Sequence, residues 1–236
     1  MTEEVFRQDA YARTCAACVT AADDAGIRLD RTVFYPLGGG QPGDTGELVL
    51  GDGTAIRIVD TRKGETPGEI VHVPDGPVDP DLAGSEVTAR IDWDRRHRLM
   101  RMHTCLHLLC SLVSAPVTGG SIRDGSGRLD FDLPESTLDK QDLTERLNRI
   151  VAEDHAVIPR WISEQELDAN PSLVRTMSVA PPRGRGRVRV LDIEGVDLQP
   201  CGGTHVASSG EIGRVRVTKI EKKGRQNRRV SVALDE

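Results

Sequence analysis

Arg95-Arg-His-Arg-Leu-Met-Arg-Met-His103-Thr-Cys-Leu-His107-Leu-Leu-Cys-Ser-Leu-Val-Ser114 is where the chain changes its hydrophobic period. Within it Leu99, Met102, Leu106, Leu109 and Val113 recur every three or four residues, so the spacing predicts an amphipathic helix from Arg95 to Ser114. Ala115-Pro116 ends it, because proline cannot continue the ladder.

On the N-terminal side the period is two. Arg31–Tyr35, Gly46–Leu50, Thr54–Val59, Glu69–Val73 and Val87–Ile91 are rich in β-branched residues and bounded by Gly, Pro or Asp. Strands at this spacing predict a small barrel or sandwich. The domain boundary falls near Asp92, giving a β-barrel domain over 1–91 and a second domain over 92–236. On the C-terminal side the pattern predicts a strand at Gly127–Leu133 and a helix at Lys140–Asp154. A strand at Asp154–Ile162 with edge character from Pro159 and a short helix at Glu164–Ala169 come next. Strands over 186–193, 213–220 and 228–234 complete an α+β domain, with the His-bearing helix against an antiparallel sheet.

Hydrophobic residues make up 37% and charged residues 29% of the 236, which fits a soluble globular chain; aromatics at 3% leave the core to Val, Leu, Ile and Ala. No basic patch followed by an apolar run opens the sequence, and no eighteen apolar residues run together, so the reading is cytosolic with no membrane role. Five cysteines, an odd number without a secreted-framework spacing, agree with a reducing compartment. Net charge is −6, yet Arg183 to Arg229 holds twelve Lys/Arg against five Asp/Glu, a basic stretch on an acidic body. That distribution suits local contact with a phosphate backbone, with Lys222, Lys223 and Arg225 as RNA-binding candidates, or else a solvated strand face. No obligatory protein partner is visible.

His103 and His107 stand four apart, one above the other on a helix, so both imidazoles can converge on one ion. By itself this pair is weak, and the absence of Glu at the second position excludes a zincin protease. Cys201-Gly-Gly-Thr-His205 adds a thiolate and a third imidazole, its glycines favouring a tight ligand-presenting turn over a helix. One sulfur and three nitrogens suit tetrahedral Zn²⁺ and disfavour Mg²⁺ or Ca²⁺. Cys15, Cys18, Cys105 and Cys110 lack a matching partner pair and read as packing residues.

Three segments resemble the hallmarks of the alanyl-tRNA editing proteins: Asp92–Leu109 with its histidine pair, Cys201-Gly-Gly-Thr-His205-Val, and Phe34-Tyr-Pro-Leu-Gly38-Gly-Gly-Gln-Pro-Gly-Asp-Thr-Gly46. Gly210-Glu-Ile-Gly213 and Asn227-Arg-Arg-Val resemble the family's closing hairpin, so the likeness covers nearly the whole chain. The length is similar to the free-standing, medium-length form.

The resemblance implies zinc on His103, His107, Cys201 and His205 as the catalytic centre, and hydrolysis of mischarged tRNA(Ala), seryl or glycyl. Four protein ligands fill a tetrahedron, whereas catalytic zinc ordinarily keeps a position open. Alternatives are therefore a tRNA-binding module with a structural zinc, an editing hydrolase for another aminoacyl-tRNA, or a metal-dependent hydrolase of a small ester or amide. The family's glycine-rich loop would lean over the pocket with Gln41 and Asp44 as polar contacts; read from composition it is a long turn. A site that rejects alanine while accepting serine needs a polar side chain near the metal. Thr118 in Val117-Thr-Gly-Gly-Ser121, just after the metal helix, is the first candidate and Ser121 the next.

Overall fold

The protein is described by a computed structural model covering residues 1–135, 138–177, 184 and 186–235. It forms two compact units, Met1–His97 and Arg98–Glu236.

The first unit contains β1 (Glu3–Glu4), α1 (Val5–Gln8), β2 (Thr14–Asp23), β3 (Gly26–Leu29), β4 (Arg31–Thr32), β5 (Gly46–Leu50), β6 (Ala55–Lys63), β7 (Ile70–Pro74) and β8 (Glu86–Ile91). Six of these close a barrel in the order β2-β3-β7-β6-β5-β8, every pairing antiparallel. Alternation supplies the core: on β8 Val87, Ala89 and Ile91 point inward while Glu86, Thr88 and Arg90 face water. They meet Val19, Ile27, Leu29, Leu48 and Ile58 inside the barrel. The predicted strand Arg31–Tyr35 is cut to Arg31–Thr32, because Val33, Phe34 and Tyr35 are buried consecutively rather than alternately.

The glycine-rich loop then runs against the barrel wall. A Cβ at Gly43 would fall 2.0 Å from the Thr61 carbonyl oxygen, so only glycine allows this approach. Asp44 follows, its buried carboxylate accepting from the Tyr35 N–H (2.6 Å) and from Arg96 Nε (3.0 Å). The Arg96 guanidinium also donates to the carbonyls of Val33 (2.7 Å) and Ala10 (3.1 Å). Such fully partnered buried charges are tolerable, whereas removing one member typically costs about 3–5 kcal/mol.

Helix α2 (Trp93–Leu112) carries the chain into the second unit; the division falls within it, after His97. Leu99, Met102, Leu106 and Leu109 form the expected stripe, but Met100, Cys105 and Leu108 are buried too, so the helix is covered on more than one face. The unit continues with β9 (Val117–Arg123), β10 (Ser126–Asp132), α3 (Lys140–Glu153), β11 (Val157–Ser163), α4 (Glu164–Ala169), β12 (Arg187–Ile193), β13 (Asp197–Pro200), β14 (Val215–Lys223) and β15 (Asn227–Leu234).

Two antiparallel sheets result, β14-β15-β10-β9 and β11-β12-β13. The first packs on α2: a Cβ at Gly127 would meet Met102 Sδ at 2.9 Å and Leu106 Cδ1 at 3.1 Å. Helix α3 starts at Asp139, which accepts from the Gln141 and Asp142 N–H groups, and it lends Asn148 to the edge of β14. That amide donates to the Val215 carbonyl (2.7 Å) and accepts from its N–H (3.0 Å), finishing backbone bonds that no strand supplies. The mixed α+β architecture, a barrel and then a helix against an antiparallel sheet, is the one expected. Among the described residues, no helix is long and apolar enough to cross a membrane.

Candidate metal centre

His103 and His107 stand one turn apart on α2, while Cys201 and His205 lie in the irregular segment after β13. Their ligand atoms all lie within 4.8 Å of one another. Cys201 Sγ is 3.1 Å from His205 Nε2 and 3.5 Å from His103 Nε2. A tetrahedral zinc with bonds of about 2.0–2.3 Å sets its ligands roughly 3.3–3.8 Å apart; the 3.1 and 3.5 Å contacts lie close to this, the widest separation is larger, and the donor chemistry suits such an ion.

The backbone around Cys201 is fixed from β12. The Cys201 N–H donates to the Arg189 carbonyl (3.1 Å), and Arg189 Nη1 donates back to the carbonyls of Cys201 (2.8 Å) and Gly203 (3.0 Å). The Gly203 N–H points at the sulfur, 3.4 Å away. Thr104, buried between the two helix histidines, donates to the Met100 carbonyl (3.0 Å) and sits 3.2 Å from His205 Nδ1. With its proton committed, that hydroxyl accepts from Nδ1–H, which leaves Nε2 of His205 as the metal-facing lone pair.

Electrostatics keep the rings in ligand form. Burial, then the neighbouring histidines and Arg189, hold His103 and His205 well below the ordinary imidazole range. Burial and the charges of Arg189 and Arg175 lower His107 to about 4. All three are neutral at pH 7, as metal ligation requires. Cys105, by contrast, is driven up to about 12 by burial, and burial raises Cys110, so both remain thiols in the packing role expected of them.

Sequence reasoning missed the groups behind the ligands. Thr104 reads only as a spacer between the histidines, and Arg189 only as one of the basic stretch, because their partners are remote in sequence. Arg175 was equally hidden; it donates to the Cys110 carbonyl (3.0 Å) and pairs with buried Asp197 (2.9 Å), whose other oxygen accepts from Gln199. Burial pushes the Asp197 carboxyl up, with the Arg175 charge acting against it.

Gln41 and Asp44 lie buried in the first unit, Asp44 in the clamp with Arg96. Thr118 and Ser121 fall on β9, a strand paired with β10. Thr118 is the extra residue of a bulge, since Gly119 pairs with Asp130 and Val117 with Phe131. Its hydroxyl lies 3.1 Å from the Asp130 carbonyl and 3.2 Å from Asn227 Oδ1. Ser121 pairs with Arg128, on the face opposite the one Gly127 turns to α2. Lys222 and Lys223 end β14 and Arg225 lies in the following turn, all three exposed; Arg183 and Arg185 lie outside the described residues.

Comparison with known proteins gives two family matches: threonyl and alanyl tRNA synthetase second additional domain over residues 188–231, and tRNA synthetases class II (A) over residues 6–95. The alanyl-tRNA editing protein AlaX-M of Methanosarcina acetivorans is 37% identical, the match covering 99% of each chain. That of Methanosarcina barkeri is 38% identical with the same coverage. The alanine–tRNA ligase of Pyrobaculum neutrophilum is 35% identical over 94% of this chain but only 25% of its own length. Full-length similarity of this degree, on a chain whose two signature pairs converge in space, means that the protein belongs to the AlaX-M family of alanyl-tRNA editing proteins.

Proposed function

We propose that this protein is a deacylase that works in the cytosol on mischarged tRNA(Ala), hydrolysing the ester of serine or glycine, and that the ion at His103, His107, Cys201 and His205 is zinc. The observation that carries the reading is the convergence of one sulfur and three neutral imidazole nitrogens within 4.8 Å, in a chain matched end to end by alanyl-tRNA editing proteins. Bound zinc supplies Lewis acidity toward an ester carbonyl. The chain's own residues hold the donors: Thr104 fixes the ring and tautomer of His205, and Arg189 ties down the turn that presents Cys201. An ester is already activated, so no Ser-His-Asp or Cys-His nucleophile is required.

A second reading has one observation in its favour. Four protein donors close a tetrahedron, as a structural zinc in a non-cleaving tRNA-binding module would have it. The purified protein, incubated with seryl-, glycyl- and alanyl-tRNA(Ala), separates the two. Deacylation of the first two, sparing of the third, a stoichiometric zinc by elemental analysis and loss of zinc and activity together in Cys201→Ala are expected. A zinc-loaded protein that binds but never cleaves would establish the second reading.

A further inference from the structure

The chain has only two tryptophans. Trp93 is engaged, stacked on His97 at 5.3 Å between centroids and covered by the Arg13 guanidinium at 4.4 Å. Trp161 is 51% exposed on β11, the edge of its sheet. Register decides which way it faces. Trp161 pairs with Arg189 across the antiparallel ladder, and directly opposed residues share a face. Arg189 is the residue whose guanidinium reaches the carbonyls of Cys201 and Gly203. The indole therefore stands on the metal-loop side of the sheet, one strand spacing of about 5 Å from the anchor of that loop. Arg187, diagonal to it on the same face, places its guanidinium 5.1 Å from the ring centroid.

A flat apolar ring half out of water, with a cation against it, is the composition of a platform for an unpaired base. Position supplies the identity of the base. In an aminoacyl ester of RNA the scissile bond sits on the last ribose, so the terminal base must rest within roughly 10 Å of the metal, with its phosphate a few ångströms farther out. Trp161, opposite the Arg189 that anchors the Cys201 loop, and Arg187 beside it bring to this face the two chemistries the last nucleotide presents.

We propose that Trp161 stacks the 3′-terminal base of the tRNA, with Arg187 turning to its phosphate, so that the pair positions the ester over the metal centre. This rests on the deacylase reading for its substrate but not for its test.

Binding of uncharged tRNA(Ala), intact or trimmed of its last nucleotide, is measured for wild type, Trp161→Ala and Trp161→Phe at equal metal content. The wild type should favour the intact RNA. Trp161→Ala should lose about tenfold in affinity for the intact RNA and less than about twofold for the trimmed one, while Trp161→Phe stays near wild type. Weakening of both RNAs alike, or of neither, overturns the platform. Hydrolysis of seryl-tRNA(Ala) by the wild type, run in parallel, judges the deacylase separately. If it is absent while terminal-nucleotide discrimination remains, the deacylase reading falls and the platform stands.

Discussion

Thr104 does more for the centre than its place between two histidines suggests, since its hydroxyl decides which nitrogen of His205 faces the sulfur. Thr104→Val keeps the shape and removes that hydrogen bond. Affinity for the proposed zinc, measured by chelator competition, should fall about tenfold, with Thr104→Ser restoring most of it. A loss equal in both variants would mean that the methyl group, not the hydroxyl, matters. Thr118 poses the selectivity question. Bulges re-aim a side chain out of the regular alternation, and Thr118 is the bulged residue of β9. With Thr118 as the proposed contact to the serine hydroxyl, Thr118→Val is expected to slow hydrolysis of seryl-tRNA about tenfold and of glycyl-tRNA less than about twofold, because glycine has no hydroxyl to lose. Equal slowing would instead report the broken tie to Asp130 and Asn227. The convergence of the four candidate donors was legible because metal chemistry fixes residue type and local spacing. Thr104 and Arg189 were not, since their roles appear only when segments 101 and 12–14 positions away fold onto them.

Elements show the same division between local and remote information. Helices α2 and α3 were readable from their period, and α4 forms over the expected Glu164–Ala169, where the structure shows a Ser163–Glu166 capping box. Strand β9 was not, because Thr118-Gly-Gly-Ser121 carries turn residues and becomes a strand only by pairing with β10. Strand β2 escaped for the same reason: its Ala- and Cys-rich sequence is a poor strand former, and closure against β8 makes it one. The basic stretch is also refined by its elements. Arg229 pairs with Asp130, Arg216 with Asp235 and Lys219 with Glu221, and Arg189 is buried. At the β14–β15 hairpin Lys222, Lys223 and Arg225 are exposed together, Lys223 also pairing with Glu221 at 3.4 Å. Changing these three to Gln should weaken tRNA binding and flatten its dependence on salt by up to about three counterions while leaving zinc content unaltered. An unchanged salt slope would exclude the hairpin as the RNA contact.

At the scale of the whole molecule, acid sensitivity has an identifiable source in the barrel. His72 is fully buried, its Nδ1–H donating to the Ile27 carbonyl (3.0 Å) and its Nε2 accepting from Thr32 (2.8 Å). Burial lowers its pKa from 6.5 to about 4. The unfolded chain therefore takes up this proton first, and stability is lost as pH falls from about 6.5 toward 4. Between pH 7.5 and 5 the loss should be about 2 kcal/mol. Chemical unfolding of wild type and His72→Gln across that interval checks it; a pH slope no shallower in the variant would assign the effect to other groups.

The donor set has one more consequence, which concerns supply. His103 and Cys201 stand 98 positions apart, so an ion held between them is also a clasp on a long loop. Part of its binding free energy is then free energy of folding, and unfolded chains are cleared by proteases. With zinc as the proposed ion, a cell starved of it would not accumulate a silent reserve of this protein awaiting metal. It would shorten the protein's lifetime, and fidelity of translation would become coupled to the metal economy through turnover.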